Sequence, residues 1–260
     1  CYGVENINPM AKNFASVVSD GNYGIVITNS TNVTTTGGMA HGLTPGFATG
    51  GSDDAGAVPS RNIVTRGVKI SNTNLTRHAA DFHGNVRDSV YIDCEILGTV
   101  TVDGLNNGYL NCKIKRAAAL VPLDLGELVG GTVDLTDTTV EVLPTGGVNR
   151  FIAYSAGTMA KGLKYDALLK VHNCTFIWGR GNTQLYSLIL PTCSNAGATI
   201  NLELVSPKLV GFEGMTVERF VMYNISSGAK RASRFIMRGA INVKYNTLAY
   251  DALGAGAVVE

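Results

Sequence analysis

The sequence predicts an all-β chain wound as a parallel solenoid, and three observations lead there. Short alternating segments recur along it, a turn-forming residue ends each of them, and no helical periodicity competes. Composition agrees. Of 260 residues 31 are glycine and only 16% are charged, against roughly 25% charged in ordinary globular chains.

The recurring segments are VKISNTNL (68–75), VYIDCEI (90–96), YLNCKI (109–114), VDLTDTTV (133–140) and LKVHNCTF (169–176). Each alternates apolar and polar residues, reaches an Asn or Asp, then a Cys or Thr, and regains an apolar residue two positions later. From Thr73 to Cys94 is 21 residues, from Cys94 to Cys112 is 18, to Thr138 a further 26 and to Cys174 another 36. This predicts a parallel β-helix with coils of about 18–26 residues and loop insertions. GIVITNST (24–31) and INVKYNTL (241–248) are looser copies near the two ends. A leucine-rich repeat needs a fixed Leu/Asn consensus and a propeller needs periods near ~40–45 residues, so neither fits.

Alternation assigns Val68, Ile70, Val90, Ile92, Leu110, Val133, Leu135 and Val171 to the interior. The Asn or Asp marks a corner, because its side chain bonds nearby backbone and accepts turn geometry. Cys94, Cys112 and Cys174 share one inward position, where a thiol acts as a small apolar residue. That reading predicts reduced cysteines rather than zinc ligands, since no CxxC pair exists. The Gly/Pro-rich stretch 37–60 reads as a long loop insertion, and 183–260 as degenerate coils of the same single domain, 1–260. The ends, starting at Cys1 and finishing at Glu260, read as cuts from a longer chain.

Function classes narrow by exclusion. A net charge of +1 gives no field for nucleic acid or an anionic membrane. No apolar run of about 18 residues is present to span a bilayer. The phosphate-binding Gly-Lys-Ser/Thr loop, HExxH and G-x-S-x-G are all missing. No cofactor and no metal are expected.

Candidate chemistry gathers at TRHAADFHGN (76–85). Phe82 reads as inward, so Asp81 and His83 share an outward face, with His78 across the corner. A shift of about 20 residues, one coil, sets His83 beside Asp103. An imidazole oriented by a carboxylate acts as general acid or base near neutral pH. Asp81 paired with Asp103 or Glu95 offers instead a carboxylate pair for glycoside hydrolysis. The competing reading is a structural corner network of Arg77, His78 and Asp81. Around this centre Arg77, Arg87, His41, Trp178 and Arg180 are candidate substrate-binding residues. Trp178 beside Arg180 would form a sugar-stacking platform if exposed, and core or trimer-contact packing is its other reading. Asp53 and Asp54 form a second acid pair on the expected loop, and His41, His78, Asp81 and His83 a conceivable metal set. Lys230, Arg231, Arg234 and Arg238 make a short basic run.

The φ-x-φ-(x)-Asn/Asp-Cys/Thr-x-φ repeat, with φ an apolar residue, and the RHAADFHG corner resemble the tailspike and tail-fibre proteins of bacteriophages. Those belong to the pectate-lyase-like superfamily. The resemblance covers roughly 24–248 and implies a right-handed β-helix. It also implies a homotrimer that binds a bacterial surface polysaccharide and depolymerises it, as a glycoside hydrolase or polysaccharide lyase. Other phage tail proteins would be partners, and the location would be the virion tail, assembled in the host cytoplasm. The alternative is a spike domain that grips glycan without cutting it. Catalytic residues vary between subfamilies, so no pair carries over by motif.

Overall fold

The computed structural model describes residues 2–12, 23–43, 45–50, 58–71, 78–116, 122–125, 128–144, 150–153, 165–179, 185, 187–190, 192–193, 199–225, 234–251 and 258–259. Its strands form three sheets of 11, 8 and 10 strands, and every pairing described is parallel. The chain visits sheet 1, sheet 2 and sheet 3 in turn from coil to coil. One coil comprises Arg61–Arg66, Lys69–Ser71 and His78–Phe82; the next comprises Val90–Ile92, Glu95–Leu97 and Thr99–Thr101. This is a right-handed parallel β-helix, as the repeat predicts.

Register along sheet 2 runs Met10, Met39, Lys69, Glu95, Lys113, Thr139, Thr175, Lys208, giving coils of 29, 30, 26, 18, 26, 36 and 33 residues. The expected range of about 18–26 is therefore too narrow. The sheet 2 strands stay at 3 or 4 residues, and the rest of each coil absorbs the difference.

The corner between sheets 1 and 2 explains the repeat. Asp93, Asn111, Asp137 and Asn173 have φ of 56°, 50°, 53° and 54°, the left-handed region that Asn and Asp tolerate best after glycine. Each donates its N–H to the last carbonyl of the sheet 1 strand above; Asp93 to Leu110 is 3.0 Å. The next residue turns inward and donates its side chain to a carbonyl of the coil below. Cys112 Sγ reaches Tyr91 O at 3.5 Å, Thr138 Oγ1 reaches Tyr109 O at 2.9 Å, and Cys174 Sγ reaches Leu135 O at 3.2 Å. A small donor is what this position needs, so Cys and Thr alternate there. Cys94, Cys112 and Cys174 are free and buried, and burial pushes the Cys174 thiol up to about 12.

Two interior assignments need correction. In the first segment the corner is Gly67, φ 66°, followed by Val68; aligning on Thr73 is out of register, and Thr73 itself lies outside the described residues. Glycine reaches the left-handed region as easily as Asn, so that corner carried no Asn or Asp to read. Val90, Ile92 and Leu110 face outward and are half-buried, while Tyr91 and Tyr109 point in. A run such as Val-Tyr-Ile has no parity of its own; the corner two residues later decides it.

Strands Met39–His41 and Phe47–Gly50 fall within 37–60, so that stretch is not one long loop. Asp53 and Asp54 lie outside the described residues. The two looser end copies are sheet 3 strands, Ile25–Thr28 and Lys244–Asp251. Within 183–260, strands such as Ile200–Val205, Lys208–Val210 and Thr216–Ile225 continue the three sheets.

Two aromatic clusters fill the interior. Tyr91 and Tyr109 stack on consecutive coils with centroids 4.9 Å apart, and Phe82 packs on both. Further along, Phe151 packs on Phe176, Trp178 and Phe212.

Candidate active site

The site lies on the outer face of sheet 3, across three consecutive coils. Inward residues there are Ala80 and Phe82, then Val100 and Val102, then Leu123 and Leu125, all buried. Asp81, Thr101 and Asp124 sit between them and occupy one outward column. The triplets Ala-Asp-Phe, Val-Thr-Val and Leu-Asp-Leu are the sequence signal for this column. Comparing them coil by coil would have found Thr101 and Asp124, which the reading of residues 76–85 alone missed.

A bulge brings His78 to the same face. His78 pairs with Thr99, but Ala80 pairs with Val100, so Ala79 is an extra residue in its strand. In a regular strand His78 would share the inward parity of Ala80 and Phe82. The extra residue turns it outward, beside Asp81. Thr99 and Thr101 carry short side chains, so groups from the flanking coils meet over the middle one.

His78 Nε2 stands 3.7 Å from Asp124 Oδ2, two coils away. His83 Nε2 stands 3.3 Å from Asp81 Oδ2. Thr101 Oγ1 donates to Asp81 Oδ1 at 2.5 Å and accepts from Phe82 N at 2.8 Å. Tyr109 Oη, from the interior, donates to Thr101 O at 2.9 Å and anchors that strand. Gly50 on the preceding coil leaves room for the imidazole: a Cβ there would lie 2.5 Å from His83 Cβ.

Both carboxylates are deep for charged groups, with Asp81 and Asp124 each 8% exposed. Burial works to lower the His78 pKa, yet the contact with Asp124 and the charges of Asp81 and Asp124 outweigh it, and the pKa is raised. Arg116 opposes this with its own charge. It ends the sheet 2 strand Lys113–Arg116, in register with Val142, and is itself buried. Sequence reasoning missed Arg116, because its position at the sheet 2–sheet 3 corner follows from coil packing.

The structure thus brings together His78, Asp81 and His83 and adds Thr101, Asp124 and Arg116. Asp103 is buried two residues beyond Thr101, past the end of the Thr99–Thr101 strand. The ion pair of the His83 imidazole, however, is to Asp81 on its own strand. Glu95 is not part of this site. It lies on sheet 2, exposed, between Lys69 at 3.7 Å and Lys113 at 3.9 Å. The pairing of Asp81 with Glu95 does not form, because the link between sheets 2 and 3 turns the two side chains to different faces.

His41 is also on sheet 2, with Nδ1 at 2.5 Å from Ser71 Oγ, so it joins neither the site nor a metal set with His78 and His83. Arg87 opens the sheet 1 side of its coil, bridged to Arg61 and Leu105. Trp178 is 2% exposed and packs on Phe151, so it is a core residue and offers no sugar platform. Its register with Val142 turns it inward. Arg77 and Arg180, and Lys230 and Arg231 of the basic run, lie outside the described residues.

Comparison with solved structures gives the same fold in phage tailspikes. The tailspike protein gp49 from Pseudomonas phage LKA1 aligns with a TM-score of 0.77 at 22% identity, covering 98% of this chain and 43% of that one. The tailspike gp61 of Pseudomonas phage phi297 aligns with a TM-score of 0.80 at 20% identity, covering 95% and 41%. The Gp54 tailspike of Acinetobacter baumannii bacteriophage AP22, solved in complex with A. baumannii capsular saccharide, aligns with a TM-score of 0.67 at 22% identity, covering 96% and 42%. The chain therefore spans less than half the length of each. A search of curated proteins finds no match. The model of the Gp49, pectin lyase-like family matches residues 1–239, and the chain belongs to that family.

Proposed function

We propose that this chain is the glycan-binding and glycan-cleaving part of a phage tailspike, acting on a bacterial capsule or O-antigen from the outer face of sheet 3. The observation that carries the reading is the pair of His–Asp couples with buried carboxylates, His78 with Asp124 and His83 with Asp81, set over three coils. A solenoid face that served only as scaffold has no need of buried ionisable groups, which cost free energy unless paired.

The arrangement supports hydrolysis. Asp81, held by Thr101 and His83, takes a proton from water as the water oxygen bonds to the anomeric carbon. His78, whose protonated form Asp124 favours, gives its proton to the departing glycosidic oxygen as that bond breaks. Arg116 supplies a fixed positive charge at the edge of the site. The saccharide bound to the AP22 tailspike supports a glycan as the ligand class. The same family setting supports a homotrimer in a virion tail, working beside other tail proteins.

The test is depolymerisation of surface polysaccharides from a bacterial panel by the purified chain, beside Asp81→Asn and His78→Gln. We expect shortened chains with new reducing ends, and a fall of about 100-fold or more in either variant. Unsaturated uronate ends would reassign the reaction to elimination at the same residues. Cleavage within a few-fold of the parent in both variants would remove the site from this face. Binding without cleavage would leave a glycan-gripping domain.

A further inference from the structure

The same three coils carry a second concavity on a different face. It is a groove of about 500 Å³ across the outside of sheet 2, lined by Lys69, Glu95, Lys113 and Lys115 together with the apolar Met39 and Leu97. Lys69 and Lys113 sit on the coils to either side of Glu95 in one register, and Lys115 shares the strand and outward face of Lys113. Glu95 is the one carboxylate lining the groove among the described residues.

That carboxylate satisfies its neighbours poorly. Lys69 and Lys113 stand 3.7 and 3.9 Å from its two oxygens, well beyond the ~2.7–2.9 Å of a charge-assisted hydrogen bond. Lys115 turns instead to Glu141 at 3.0 Å. All three ammonium groups are at least half exposed or nearly so, and such surface pairs are cheap to exchange for another anion. Met39 and Leu97 remain exposed between them and offer an apolar surface to the C–H faces of a sugar.

We propose that this groove is a second, non-catalytic saccharide site that takes an acidic glycan, one bearing carboxylates along its length. Charge complementarity selects that occupant: three cations and one anion line the groove beside the neutral Met39, Leu97 and Ser71. The proposal stands apart from the chemistry assigned to sheet 3, because it needs neither Asp81 nor His78. A chain of acidic sugar held on sheet 2 would remain tethered while other parts of it reach the next face, raising their local concentration there.

The experiment is titration calorimetry of the whole chain with hexagalacturonate as the acidic probe and maltohexaose as the neutral one. It is run on the Asp81→Asn, His78→Gln double variant, in which no cutting is expected. We expect hexagalacturonate to bind, to weaken as salt is raised, and to weaken roughly fivefold in Lys113→Gln, Lys115→Gln. Glu95→Gln is expected to bind more tightly, a direction that damage to the fold cannot mimic. Equal binding of maltohexaose, or hexagalacturonate binding indifferent to both the lysine and the Glu95 changes, would overturn the proposal. So would lysine variants that lower the sedimenting mass while glycan binding holds, since the groove would then be a contact between copies of the chain. Each outcome is independent of whether the sheet 3 site cleaves.

Discussion

Sheets 2 and 3 share the same coils, yet their outer faces treat charge in opposite ways. On sheet 2, Lys69, Glu95 and Lys113 are exposed and loosely paired rung to rung. On sheet 3, Asp81 and Asp124 are buried and paired through imidazoles that reach along and across the coils. The difference comes from what lies beside each charge. Long flexible side chains on sheet 2 keep their heads in water. On sheet 3, Thr99 and Thr101 leave space over the middle coil, Gly50 leaves space for His83, and a bulge turns His78 outward. A regular ladder solvates its charges, and an irregular one can enclose them.

Filling the space left by Gly50 is the strongest way to break this contrast. Gly50→Ala drives a methyl against the His83 ring and is expected to cost about 1–3 kcal/mol by overpacking. Urea unfolding would read the cost, and the His83 imidazole resonances would report its displacement. Thr101→Val comes next. It removes the hydroxyl that accepts from Phe82 N and donates to Asp81, for an expected loss of about 1–2 kcal/mol, with the midpoint falling at unchanged slope.

A pH series sharpens the comparison further. The His78 pKa is raised in the folded chain, so the stability it contributes is fully present below the unfolded value of about 6.5 and is lost as pH rises through the folded value. The parent should therefore lose stability relative to His78→Gln as pH rises above about 6.5. A parallel pair of curves would show that His78 and Asp124 do not interact. The smallest effect is expected on sheet 2, where Lys69→Gln should change stability by less than about 0.5 kcal/mol. A larger loss, read by the same unfolding assay, would mean that the exposed ladder carries structure.

Much of the fold was legible because the corner has a chemical requirement. Asp93, Asn111, Asp137 and Asn173 are the residues that enter the left-handed region most readily after glycine, and Cys112, Thr138 and Cys174 are small donors for the carbonyl beneath. Local chemistry of that kind is written in single residues. Where Gly67 replaced the Asn or Asp, the register was misread. Where Tyr91 sat between two other apolar residues, so was the parity.

The site was legible in part. His78, Asp81 and His83 stood out because they cluster within six residues of chain. Asp124 and Arg116 lie far along the sequence and enter through coil stacking, which spacing alone does not give when links vary from coil to coil. The same variation separated Glu95 and His41 from the site, although both share or adjoin its coils. Trp178 went to the core because its register with Val142 turns it inward.

By itself, then, the sequence determined the architecture: alternation, left-handed corners and a column of small donors leave a parallel β-helix as the structure that satisfies every backbone group. Only the tertiary structure decided which ionisable groups meet. A single extra residue at Ala79 reverses the facing of His78, and a one-residue shift in a strand exchanges inside for outside, so the chemistry rests on register that no local pattern records.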